Sequence, residues 1–407
     1  MKAFNPKSWD WFLVGSALLL SLIGVLLIYS AKFNTVSLAD KELYIKQTMW
    51  LGLALLVFLV TKEIPPKLHE ALAYFYYAAG VLLLLLLLAF GATKMGATRW
   101  FALGNFNLQP GEIMKIALIM ALSRFLVYSK RSPRDLTWVL ISALLALVPV
   151  ALVLKQPDLG TSIVFVVLLF AMLFWAGLPY YFLLLLITPI FSLVTAFHWI
   201  SWGLFFVALL VFLYHLRPGL WFSSFLVITN LACGVLTPLV WHRLHDYQKL
   251  RIISFLNPGN DPLGAGYQII QSQVAIGSGG LLGKGFLHGT QNKLEFLPEQ
   301  HTDFVFSVLG EEFGLVGGII LLAIFALFLF RAIGIAYKSR NRWASFAAWG
   351  IASYFAFQIF INLGMTVGIM PVTGLPLPFV SYGGSSLLVS WIMVGILQAI
   401  YSKGYEY

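Results

Sequence analysis

The stretch Trp11–Tyr29, WFLVGSALLLSLIGVLLIY, holds no charged residue. A run of roughly 18 or more apolar residues reads as a membrane-crossing helix, because lipid offers backbone N–H and C=O groups no partner and a helix satisfies them internally. The run is too long for a signal-peptide core and lacks a small-residue cleavage site, so it is expected to persist as the first span. Similar runs recur along the chain. Twelve spans are expected, centred on 11–29, 47–61, 71–91, 113–128, 136–154, 160–177, 180–197, 202–214, 220–240, 304–330, 345–370 and 386–401. Composition agrees: 60% of the 407 residues are hydrophobic and 10% charged, against about 25% charged in a soluble domain. The expected fold class is all-α, a polytopic membrane helix bundle forming a single domain over 1–407.

The net charge of +10 comes from Lys and Arg in the loops between apolar segments. Topogenic charge and attraction to anionic membrane lipids account for it, and no basic run interleaved with aromatics points to nucleic acid. Short basic loops at Lys62–Lys67, Lys130–Arg134, Arg217 and Arg331–Arg342 place both termini in the cytoplasm under the positive-inside rule. The single cysteine, Cys233, excludes an intrachain disulfide and a multi-cysteine metal site. Residues 241–303 contain no long apolar run and fall on the outer face. A loop of that length is usually functional or disordered, and its regularly spaced apolar residues, such as Ile269 and Phe286, favour packing on the membrane domain.

An ionisable group at the edge of a span is costly to hold there and is a functional candidate by default. Four segments qualify. In the first, Arg99-Trp100 leads to Gln109-Pro-Gly-Glu112 and Lys115. Glu112 and Lys115 share a helix face, so a plain intrahelical ion pair competes with a ligand role. In the second, Lys155-Gln-Pro-Asp158-Leu-Gly-Thr161, Asp158 has the side chain of a helix N-cap. The third, Glu295-Phe-Leu-Pro-Glu299-Gln-His301-Thr-Asp303-Phe304, is denser in polar groups than capping requires, and a carboxylate there suits a general base for a sugar hydroxyl. In the fourth, Pro376-Leu-Pro-Phe-Val-Ser381-Tyr382-Gly-Gly-Ser385-Ser386, prolines and glycines break the helix. Irregular backbone at that depth lines a cavity or is buried in protein. Three other patterns are set aside. Gly277-Ser-Gly-Gly-Leu-Leu-Gly283-Lys284-Gly285 is a misspaced phosphate loop, His242 and His245 lack a zinc-protease carboxylate, and Gly-x-Ser-x-Gly does not occur.

The same segments carry a family resemblance. Gly96-Ala-Thr-Arg-Trp100, Gln109 to Lys115, Gln156 to Thr161, Asn257-Pro through Gly264 to Tyr267, Ile276 to Gly280, His288-Gly-Thr-Gln291, Glu295 to Phe306 and Pro376 to Ser385 resemble the SEDS family (shape, elongation, division and sporulation). Within it the RodA branch fits better than FtsW. The family has ten spans, so 179–240 is expected to hold two additional segments. Gly111 stands where the RodA branch usually has serine, and it is given no role.

The resemblance implies a peptidoglycan glycosyltransferase that polymerises lipid II into β-1,4-linked glycan strands during elongation and releases undecaprenyl pyrophosphate. Asp303 is then the general base. Arg99, Lys115, Gln109, Glu112, Asp158, Glu299, His301, Ser381 and Tyr382 form the substrate-binding set, with Arg99 and Lys115 answering the pyrophosphate charge. A divalent cation, Mg or Mn, held by carboxylates is another way to meet that charge, and the sequence defines no metal site. The implied partners are a class B penicillin-binding protein and the elongation machinery. A lipid II flippase and a non-enzymatic scaffold are the competing readings. A flippase favours ionisable groups through the bilayer depth and an internal repeat, whereas here the charges cluster at the outer face.

Overall fold

The computed structural model describes residues 9–33, 42–94, 97–103, 106–133, 135–243, 249, 265–290 and 300–403. The helices are α1 (Trp11–Lys32), α2 (Leu43–Glu63), α3 (Pro66–Ala71), α4 (Ala73–Phe90), α5 (Pro110–Tyr128), α6 (Leu136–Leu154), α7 (Leu159–Trp175), α8 (Tyr180–Thr195), α9 (Trp199–Leu216), α10 (Leu220–Arg243), α11 (Ala265–Gly279), α12 (Val305–Lys338), α13 (Arg342–Thr366) and α14 (Gly384–Lys403). All but α3 and α11 fall on the twelve expected spans. Among the described residues, nine helices are long and apolar enough to cross a membrane by length and composition. The protein is a multi-pass membrane helix bundle.

Two features were not foreseen. Between α4 and α5 lies a small antiparallel sheet, β1 (Ala92–Lys94), β2 (Ala97–Leu103) and β3 (Phe106–Leu108), with Ala92 opposite Trp100 and Phe101 opposite Leu108. β1 and β3 have three residues each, and the seven-residue β2, ATRWFAL, does not alternate apolar with polar, so no strand period registers in the sequence. The second is α11, a helix inside the 241–303 loop. It packs on the bundle as expected, burying Ile269. Its Ser272 Oγ donates to Thr366 O at 2.6 Å and lies 2.6 Å from Ser307 Oγ.

Helix α12 runs about 51 Å at about 1.5 Å per residue, well beyond a hydrocarbon thickness of about 30 Å. It is broken at Gly314 (φ 62°, ψ −159°), a left-handed conformation that costs an L side chain. Backbone groups freed in an apolar setting need partners, and residues 280–285 supply them. Leu315 N and Val316 N donate to Gly280 O and Leu281 O at 3.0 and 3.1 Å, while Lys284 N and Gly285 N donate to Glu311 O and Glu312 O at 3.0 and 2.9 Å. A Cβ at Gly283 would stand 2.1 Å from Glu312 O. The glycine-rich run is therefore a plug for the helix break, clamped by Lys284 Nζ to Glu311 Oε1 at 2.7 Å.

The core lies among α2, α12, α13 and α14. Phe328, Phe355, Phe379 and Trp391 are all buried and join in edge and stacked contacts with centroids 5.0–6.1 Å apart. Helices α8–α10 form a peripheral group tied by polar side chains. Trp202 Nε1 donates to Ser192 Oγ at 2.9 Å, Ser192 Oγ to Asn230 O at 2.8 Å, and Asn230 Nδ2 to Thr188 Oγ1 at 3.0 Å. Such interhelical bonds hold helices together where lipid removes the hydrophobic driving force.

At the end of the bundle away from the sheet, His69 is buried in α3, 3.4 Å from the Tyr76 hydroxyl. Burial first, and the Lys403 charge second, push its pKa down to about 4. The ordinary value of about 6.5 applies when the chain unfolds, so the unfolded state binds the extra proton between these limits. Stability is complete above pH 6.5 or so and declines as pH falls toward 4. Thermal unfolding of the purified protein is expected to show this acid loss, and a His69→Gln variant to show less of it. Equal pH dependence in both proteins would refute the assignment.

Candidate active site

Four chain segments meet above the aromatic core around a cavity of about 300 Å³. Trp50 comes from α2, Trp100, Asn107 and Gln109 from the sheet and the turn into α5, Thr302 and Asp303 from the turn before α12, and Gly374, Pro376 and the run Tyr382 to Ser386 from the loop and first residues of α14. The cavity shares Trp50, Asn107 and Tyr382 with an adjoining hollow of about 690 Å³, whose wall adds Glu42, Lys46, Met49 and Leu53. Met49 and Leu53 are 68% and 42% exposed. A chamber that carries a carboxylate and several hydrogen-bonding side chains thus adjoins a space with an exposed apolar flank.

Asp303 is held by its backbone. Asn362, fully buried in α13, donates from Nδ2 to Asp303 O at 3.0 Å and to Leu375 O at 2.9 Å. One amide therefore joins the carboxylate's turn to the opposite rim. One turn earlier on the same face, Gln358 Nε2 donates to Pro376 O at 2.9 Å. From α2, buried Gln47 donates Nε2 to Ser381 O and accepts from Gly383 N, both at 3.2 Å. Ser381 Oγ accepts from Leu377 N at 2.8 Å, so Ser381 shapes the loop and does not line the cavity. Tyr382 N donates to His301 O at 2.9 Å, and their rings lie 5.6 Å apart. Burial pushes the Tyr382 phenol above its usual value.

A second set of contacts leads away from the cavity. Ser385 Oγ donates to Asn107 O at 2.8 Å and accepts from Gln109 N at 3.3 Å. Gln109 Nε2 donates to Asp158 Oδ2 at 3.4 Å. Asp158 caps α7, accepting from Thr161 N at 3.2 Å and Thr161 Oγ1 at 2.9 Å, so capping and connection to the site coexist.

Of the residues expected from sequence, Asp303, Gln109 and Tyr382 line the cavity, with His301 and Asp158 just behind it. Glu299 lies outside the described residues. Arg99 and Lys115 do not line it. Successive strand residues face opposite ways; in β2, Trp100 lines the cavity and Arg99 Nη2 donates to Pro157 O. Lys115 and Glu112 form an ion pair at 2.5 Å with side chains 0% and 3% exposed, and Lys115 Nζ lies 5.3 Å from the Tyr354 ring centroid. Among the described residues no three His, Cys, Asp or Glu side chains converge to hold a metal ion.

The family model described as "Cell cycle protein", for FtsW, RodA and SpoVE, matches residues 10–216 and 200–406. This chain belongs to the SEDS family. Peptidoglycan glycosyltransferase MrdB of Escherichia coli is 39% identical over 400 residues, covering 98% of this chain and 96% of its own. Peptidoglycan glycosyltransferase RodA of Treponema pallidum is 34% identical over 433 residues, covering 99% of this chain and 100% of its own. A solved chain from a peptidoglycan synthase complex, described as coordinating polymerization and crosslinking, aligns with a TM-score of 0.75 at 32% identity. It covers 98% of this chain and 99% of the other. The two stretches matched by the SEDS model overlap at residues 200–216, inside the peripheral α8–α10 group.

The buried pair in α5 separates structure from ligand binding. Removing one partner of a buried ion pair leaves an uncompensated charge, at a cost of about 3–5 kcal/mol. Lys115→Met is therefore expected to lower unfolding stability sharply, and adding Glu112→Gln to restore most of it. A stable Lys115→Met protein that has lost only substrate binding would instead make the lysine a ligand group.

Proposed function

We propose that this SEDS protein is a peptidoglycan glycosyltransferase polymerising lipid II during cell elongation, with Asp303 as its general base. The supporting observation is the placement of Asp303 among hydrogen-bonding side chains, Asn107, Gln109, Thr302, Tyr382 and Ser385, in a cavity that adjoins a hollow flanked by exposed Met49 and Leu53. A lipid-linked sugar needs both environments at once, one for its saccharide and one for its polyprenyl chain. The acceptor 4-hydroxyl attacks the anomeric carbon of the donor, forming the β-1,4 bond. Its proton passes to the Asp303 carboxylate as the bond to pyrophosphate breaks and undecaprenyl pyrophosphate departs.

Charge develops on the leaving oxygens, and fixed positive groups lower the barrier there. Arg99 keeps that role in our reading from beside the Asp158 turn, joined by Lys46 on the hollow's wall. Lys115 takes part only if its pair with Glu112 opens. A divalent cation would draw its ligands largely from the substrate's own phosphates. The reading places the protein in the bacterial cytoplasmic membrane, with termini inside and the cavity outward. A class B penicillin-binding protein of the elongation machinery then receives the strands. Proximity of a tethered crosslinking domain raises their effective concentration.

Purified protein given labelled lipid II should make glycan polymer. General bases contribute about 10²- to 10⁴-fold, so Asp303→Asn should lose activity on that scale while folding normally. Near-normal polymerisation by the folded variant would eliminate Asp303 as base. Movement of lipid II across vesicles with no polymer formed would favour a flippase.

A further inference from the structure

At the end of the bundle opposite Asp303, a cavity of about 110 Å³ lies between the last turns of α12 and α14. It is lined by Arg331, Gly334, Ile335, Lys338, Ser339, Ile400 and Tyr401. Catalysis as described above makes no use of it. We propose that this cavity binds the phosphate of an anionic glycerophospholipid headgroup.

The donors are of the right kind and already in place. Asp10, buried at the start of α1, accepts from Arg331 Nε at 3.0 and 3.2 Å and from Nη2 at 2.6 Å. Asp10 also caps α1 through Leu13 N at 3.1 Å, so the guanidinium is fixed to a rigid junction. The Nη1 edge of the fork is left, and planar guanidinium edges match phosphate oxygens. Lys338 adds a charge that makes no ion pair among the described residues. Ser339 and Tyr401 add hydroxyls to the lining. The surrounding sequence is one-sided: no Asp or Glu occurs between Glu312 and Glu406, while Arg340 and Arg342 follow Lys338. Asp10 offsets Arg331 alone, leaving the site positive.

The shape of the site is the second observation. Gly334 sits within a helix, where glycine is less stable than alanine. A Cβ built on it would meet no atom within 4 Å, so packing does not require glycine here. What its missing side chain leaves is the open wall of the cavity. Buried Ile335 and Ile400 form an apolar floor. The position at the end of a spanning helix is where headgroups lie, and basic pockets between helices at that level hold anionic lipids.

The test uses full-length protein in detergent, offered phosphatidylglycerol and phosphatidylcholine together, with retained lipid counted by native mass spectrometry. Wild type should keep one phosphatidylglycerol in preference to phosphatidylcholine. Lys338→Gln should weaken that retention about fivefold, the contribution of one cation near a headgroup. Gly334→Leu, which fills the cavity without changing charge, should weaken it at least as much. Polymerisation in Lys338→Gln should be unchanged. Equal retention of the two lipids, or undiminished phosphatidylglycerol in folded Lys338→Gln, would overturn the proposal. Inorganic phosphate displacing phosphatidylglycerol at comparable concentration would reassign the site to free phosphate and overturn the lipid assignment.

Discussion

Hydrogen bonds from side-chain amides to the non-helical backbone around Asp303 hold the rest of the site in place. Away from water, an unpaired carbonyl or N–H costs several kcal/mol, and the stretch from Val367 to Gly383 has no helix to pair its own. Gln47, Gln358 and Asn362 meet that demand at Ser381, Gly383, Pro376, Leu375 and Asp303. The same bonds fix the carboxylate's turn against the opposite rim. Gly314 follows the same rule on a larger scale, since a helix break persists only because a neighbouring loop fills it.

The membrane architecture was legible in the sequence because apolar run length is nearly a direct readout of bilayer thickness. The site was legible in part. Asp303 stood out through the cost of ionisable groups at span edges, while Gln109 and Tyr382, which also line the cavity, entered through the family resemblance of their segments. Gln47, Gln358 and Asn362 were missed because that cost was applied to ionisable groups alone, although a buried amide in an apolar span carries the same signal. Arg99 turns to Pro157 O while its neighbour Trp100 lines the cavity, an alternation along β2 that no single-sequence pattern revealed. The plug at 280–285 was read as a failed phosphate loop. Its glycines answer to backbone clearance against α12, a demand invisible until α12 is seen to break.

Among the described residues, one ion pair lies wholly inside the bundle and two more set a buried carboxylate against a part-exposed cation. Glu112–Lys115 lies within one helix, and its charges cancel where neither reaches the cavity. Asp10–Arg331 joins the start of α1 to α12 at the far end of the molecule. Paired charges of this kind are worth little net stability against apolar replacements, yet are costly to break singly. They act as alignment pins more than as glue. Asp10–Arg331 holds α1 against α12, and Lys284–Glu311 holds the 280–285 loop at the helix break.

Phe379 sits beneath the cavity with φ at +65°, a conformation costing on the order of 1–3 kcal/mol that persists only when the surroundings enforce it. Its ring stacks on Phe355 at 5.3 Å and meets Trp391 of the final helix at 6.1 Å. On its other side the turn meets α1, where a Cβ on Gly24 would stand 2.5 Å from Val380 O and 2.8 Å from Phe379 O. The strained residue is therefore clasped between the first helix of the chain and the last. One wall of the chamber takes its final shape only when α14 is in place, so the geometry around Asp303 depends on completion of the whole bundle.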